Sequence, residues 1–112
     1  MAWLVREGGD VLASADVARG VRQRTVGLLG RDQDALTGAL VLRPCRQIHT
    51  IGMRFPIDVA FCDRDGVVLR TRTVVPWRVT RMVWRSGFVV EAPAGSFERW
   101  RLRPGDTIEV KE

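Results

Sequence analysis

The segment PIDVAFCDRDGVVLRTRTVV, residues 56–75, constrains the fold more than any other stretch of this chain. Two runs rich in β-branched and aromatic residues flank Asp65 and Gly66, a dipeptide that marks a tight reversal between strands. The length of the loop decides which side chains share a face. A two-residue loop pairs residues whose numbers sum to 131 and a four-residue loop residues summing to 129, and these set Phe61 against Arg70 or Val68 in mixed faces. A three-residue loop, with Gly66 in the left-handed bulge position, sums to 130. Ile57, Val59 and Phe61 then oppose Thr73, Thr71 and Leu69 on one side, while Asp58 and Ala60 oppose Arg72 and Arg70 on the other. The pattern predicts the bulged hairpin and an Asp58–Arg72 pair across it.

The rest of the chain repeats this strand logic. Gly and Pro recur at intervals suited to turns between short strands, and no repeat, linker or low-complexity tract interrupts them. GFVVEAP reads as a strand, LRPGD as a tight turn and TIEVK as a closing strand with Ile108 and Val110 on one face. Glu91 stands out, because beside Val89 and Val90 in a central strand its carboxyl must be paired or raised in pKa. GVRQRTVGLLGRD, residues 20–32, is the best helix candidate, with Gly30 as its left-handed end. A second short helix is expected in AGSFERWR, capped by Ser96, with Phe97 and Trp100 on one side. The expected architecture is a single α+β domain over residues 1–112, mostly antiparallel β, a compact curved sheet or barrel-like body with one or two short helices.

Charge and cysteine usage narrow the function classes. The net charge of +5 and a pI near 10.9 would suit an anionic partner, but the basic residues are 17 arginines and one lysine, scattered from Arg6 to Lys111 without a run of neighbours. Nucleic acid is therefore not the expected partner, although a basic surface leaves it as an alternative. Cys45 and Cys62 form no CxxC and have one histidine for company, so no metal, disulfide or cofactor is expected. The opening MAWLVREGGD lacks a basic region followed by an apolar one, and no stretch approaches the ~20 apolar residues of a bilayer span; a cytoplasmic chain without membrane contact is expected.

Five stretches taken together resemble the domain of unknown function 192 family: RQRTVGLLGR at 22–31, GALVLRP at 38–44, MRFPIDVAFCDRDGVV at 53–68, and VVEAPAG followed by LRPGDTIEV, ending at Val110. The resemblance runs over about residues 14–110. It implies a compact β-rich domain with one or two short helices and no known reaction. Many members carry an aromatic, methionine, lysine and asparagine before the PxD segment, where this chain has His49, Thr50, Ile51, Gly52, Met53 and Arg54.

Three functional readings compete. As an enzyme, the chain would use His49 as general acid or base with Asp58 orienting it. No serine elbow or second histidine supports that chemistry. As a binding module, it would hold an anionic small molecule or an acidic protein partner at a rim formed by Arg24, Arg31, His49 and Arg54, since guanidinium groups bind carboxylate and phosphate in bidentate fashion. As an interaction protein, it would use Trp77, Met82, Trp84 and Arg85, whose composition is that of an interface if VPWRVTRMVWRSGF is a loop. The binding module needs the fewest special residues and is the expected function.

Overall fold

A computed structural model of the protein describes residues 2–19 and 38–112. The helix expected at residues 20–32, with Arg24 and Arg31, lies outside the described residues. Seven strands are described: β1 Ala2–Arg6, β2 Val11–Arg19, β3 Ala39–Arg43, β4 Ile57–Cys62, β5 Val68–Val74, β6 Phe88–Pro93 and β7 Ile108–Lys111. A short helix, α1, spans Ser96–Trp100. The strands form one sheet in the order β5-β4-β6-β3-β2-β1-β7, antiparallel throughout except for the parallel pair β2–β3. The β-rich, curved architecture matches the sequence expectation.

The sheet curls until its two edges meet. Val67 bridges Thr107, and the Ile108 N–H donates to the Gly66 carbonyl at 2.9 Å. The Val68 N–H donates to the Asp106 carbonyl, and the Gly105 N–H to the Val68 carbonyl, both at 2.8 Å. The tip of the β4–β5 hairpin therefore fastens the start of β7, which removes an open strand edge at that point.

Both faces of the sheet carry a core. One face joins Leu4, Val41, Ala60, Val90 and Ile108 with Phe97 of α1. The other joins Leu40, Val59, Phe61 and Val89 with Ile48 and Phe55 from the β3–β4 connection. All six residues of β4 are buried as a result. Full burial of a Phe, Ile or Val side chain is worth ~1.5–3 kcal/mol, so this strand contributes strongly from both sides.

The hairpin corrects part of the predicted register. Near the turn the three-residue loop is present: Asp63 N–H donates to the Val67 carbonyl, Cys62 pairs with Val68, and Gly66 has φ 91°. A second bulge, between Phe61 and Cys62 in the β4 register, then shifts the pairing. Beyond it Phe61 opposes Arg70, Val59 opposes Arg72 and Asp58 opposes Thr73, so the expected Asp58–Arg72 pair does not form. Asp58 is 4% exposed and binds elsewhere. The Thr73 hydroxyl donates to its Oδ1 at 2.7 Å, and the N–H groups of Gly95 and Phe97 donate to its Oδ2 at 2.9 and 3.1 Å.

Those bonds also correct the expected helix cap. Ser96 donates its hydroxyl to the Pro93 carbonyl, and Gly95 occupies the cap position without a side-chain bond. The carboxylate that serves the first N–H groups of α1 comes from β4. Phe97 and Trp100 share one side as expected, their ring centroids 5.6 Å apart. Asp58→Ala frees two backbone donors but also removes a buried charge, so the expected net loss is about 2 kcal/mol. The check is the urea midpoint of the variant, with Asp58→Asn losing less because its amide oxygen still accepts.

Candidate functional site

Three segments distant in sequence meet beside the β4–β5 turn: residues 43–46 at the end of β3, 62–65 at the turn, and 84–88 entering β6. Ser86, 3% exposed, holds them together, its hydroxyl donating to the Cys45 carbonyl at 2.8 Å with the carbonyls of Phe88 and Cys62 at 3.1 and 3.4 Å. The Gly87 N–H adds a bond to the Cys62 carbonyl at 2.7 Å. Gly87 runs so close to the turn that a Cβ on it would lie 3.0 Å from Arg64 Cγ and 3.1 Å from Arg64 Cα. Asp63 shapes the turn itself, its Oδ1 accepting the N–H groups of Asp65 and Val67, both at 2.9 Å.

Between these segments lies an open cleft of about 770 Å³, within the size range of ligand pockets. Its charged lining is Arg43, Arg46, Arg64 and Arg85 against Asp63 and Asp65. Trp84 and Phe88 supply its aromatic surface, and the Arg43 guanidinium sits over the Phe88 ring at 4.7 Å. A smaller cleft of about 380 Å³ shares Arg43, Arg64, Asp65 and Phe88 with it and extends along β7. Among the described residues none of the four guanidinium groups forms an ion pair, so their donors face the cleft or solvent. Such an arrangement can hold a carboxylate, phosphate or similar anion in forked hydrogen bonds.

Of the residues singled out in the sequence, the structure brings only some to this place. His49 is exposed on the β3–β4 connection, bridged to Val79, and its Nδ1 accepts the Ile51 N–H at 3.3 Å. Arg54 is exposed farther along the same connection, and neither residue lines the two clefts described. His49 and Asp58 have separate partners on separate elements, so the hydrogen bond that an acid–base pair would need is not made. Trp84 and Arg85, singled out as interface residues, line the larger cleft, while Trp77 and Met82 are exposed on the β5–β6 connection. Arg43, Arg46 and Arg64 were not singled out as ligand residues. Arg64 carried the one legible signal, a basic residue between two aspartates in a turn, which reads first as turn chemistry.

Two buried titratable groups lie in the sheet. Burial, helped by the neighbouring Asp63 carboxylate and opposed by Arg43, pushes the Cys62 thiol up to about 12 and keeps it protonated. Cys45 and Cys62 are both buried, form no disulfide, and belong to different cores on opposite faces of the sheet. Glu91 is 5% exposed, opposite Leu40 and Val59, and burial pushes its carboxyl up to about 7. Among the described residues no cluster of three or more His, Cys, Asp or Glu could hold a metal ion, and no helix is long and apolar enough to cross a membrane.

Two solved structures share this fold. A protein of unknown function from Novosphingobium aromaticivorans DSM 12444 superposes with a TM-score of 0.80 at 20% identity, over 96% of this chain and 82% of its own. A protein from Sinorhizobium meliloti 1021, described as a "putative transcription regulator", superposes with a TM-score of 0.79 at 23% identity, over 97% of this chain and 91% of its own. No curated protein matches the sequence. The family described as Uncharacterized ACR, COG1430 matches residues 4–110, nearly the whole length, and the chain belongs to this family, DUF192.

Proposed function

We propose that the protein is a binding module for an anionic ligand, held in the larger cleft by Arg43, Arg46, Arg64 and Arg85. The observation that carries this reading is the set of four guanidinium groups, without ion-pair partners among the described residues, around one open cavity. Asp63 and Asp65 offset only half of that charge, and Asp63 is already engaged by two backbone N–H groups. The exposed indole of Trp84 adds a flat apolar wall, which suits an anion attached to a planar or apolar body. The chemical class agrees with the arginine-rich rim expected from the sequence, but the arginines differ.

The test is calorimetric titration at low salt with pyrophosphate, citrate and a short single-stranded oligonucleotide, since the similar Sinorhizobium protein is described as a "putative transcription regulator". The expected result is binding of a small anion that weakens with salt and falls roughly tenfold, ~1.4 kcal/mol, in Arg64→Ala with Arg85→Ala. Arg103→Ala, outside the cleft, serves as the control. No heat from either small anion, or an equal loss in the control, overturns the reading. Tight binding of the oligonucleotide alone replaces it with a nucleic-acid surface.

A further inference from the structure

The β3–β4 and β5–β6 connections are not separate loops. They pair as an irregular two-stranded ribbon, in which the Thr50 N–H donates to the Arg78 carbonyl at 2.8 Å, the Thr80 N–H to the Ile48 carbonyl at 3.0 Å, and His49 bridges Val79 between them. Ile48, Thr50 and Thr80 turn toward the body and are buried; His49, Ile51, Trp77 and Val79 turn outward. Six of the eight large apolar side chains exposed among the described residues lie in these two connections, so the apolar surface is concentrated rather than scattered. Residues 44–57 and 74–90 also hold Arg46, Arg54, Arg78, Arg81 and Arg85 without a single Asp or Glu.

Trp77 lies on this face and is held there against its own backbone preference. Its φ is 63°, in the left-handed region that bulky residues avoid, and its side chain is 65% exposed. The fully buried Thr50 fixes that geometry. Its carbonyl accepts the Trp77 N–H at 2.9 Å, and its hydroxyl accepts the Arg78 N–H at 2.9 Å and donates to the Val75 carbonyl at 2.6 Å. A strained residue that projects an indole into water adds little to folding, and strain of this kind collects at binding sites. We infer that the ribbon is a docking surface for an acidic, apolar segment of a partner protein, with Trp77 as its anchor and Arg78 and Arg81 meeting the partner's carboxylates. Charge complementarity selects that occupant. A second copy of this chain, related by a two-fold axis, would set arginine against arginine with no carboxylate in the ribbon to relieve it.

The test uses a labelled synthetic peptide alternating glutamate with leucine and phenylalanine, a control peptide with lysine in place of glutamate, and anisotropy as the readout. The parent protein is expected to bind the acidic peptide, more weakly as salt rises, and not the basic one. Trp77→Asn should bind roughly tenfold or more weakly. It should melt no lower than the parent, because asparagine tolerates the left-handed backbone and the lost indole was exposed. Arg78→Ala with Arg81→Ala should flatten the salt dependence. Arg64→Ala, which alters the anion cleft, should bind the peptide as the parent does, so failure of the cleft reading leaves this surface intact. Absence of peptide binding, undiminished binding by Trp77→Asn, or a lower melting temperature in that variant overturns the inference. So does self-association of the parent abolished by Trp77→Asn, or a preference for anionic phosphatidylglycerol vesicles over the peptide.

Discussion

Gly66→Val leaves little or no folded protein. Two independent effects fall on this position. The backbone is at φ 91°, where a β-branched side chain is strained, and a Cβ placed there would lie 2.1 Å from the Ile108 carbonyl oxygen. The atom in the way is backbone, and it belongs to the junction where Ile108 N–H bonds the Gly66 carbonyl and the curled sheet closes on itself. Relief of the clash must therefore separate the hairpin tip from β7. The expected cost exceeds ~4 kcal/mol, a large part of the ~5–15 kcal/mol that stabilises a domain. Gly105→Ala is the comparison, because Gly105 has φ 97° and a Cβ placed on it would meet nothing within 4 Å. It should lose only the ~1–2 kcal/mol of left-handed strain. Urea denaturation of Gly66→Ala and Gly105→Ala separates the two effects; equal losses would mean that β7 can retreat without penalty and that the junction is not a structural fastening.

The same hairpin shows what a sequence can and cannot disclose. The turn was legible because its chemistry is local: Asp63 bonds two N–H groups within four residues, and Gly66 supplies the positive φ. The register beyond it was not, because the second bulge has no residue signature and because β4 is buried on both faces. Double burial removes the alternation that a register argument needs. The three-residue-loop register set Asp58 opposite Arg72, whereas two of its bonds come from N–H groups 37 and 39 residues away. Backbone donors carry no sequence signal. The cleft was hidden for a related reason. Its arginines come from three segments that only Ser86, Gly87 and the strand order bring together, while sequence reading grouped Arg24, Arg31, His49 and Arg54 as a rim within the family-like stretch. Glu91 was the opposite case, since a carboxylate beside Val89 and Val90 announces its own problem.

That problem sets the second large effect, a loss of stability as pH rises. Glu91 ionises near 4.5 in an unfolded chain, and burial moves its folded value to about 7. Between those values the folded protein binds more protons than the unfolded one, so stability falls as pH rises. The contribution is fully present below pH 4.5, is lost progressively toward pH 7, and is gone above it. A shift of this size corresponds to ~3 kcal/mol across the window. Glu91→Gln keeps the size and hydrogen-bonding ends of the side chain but cannot ionise. Its urea midpoint should match the parent near pH 4.5 and exceed it at pH 8, and the difference between the two proteins should trace the titration of Glu91 alone. Parallel curves would mean that the carboxylate is ionised in the fold throughout, stabilised as an anion instead of displaced into its neutral form. The choice of side chain is then informative in itself: Leu40 and Val59, the residues opposite Glu91, offer no hydrogen-bond donor from their side chains. Burial in that setting favours the neutral acid, which is why the folded value lies near 7 and not near 4.5.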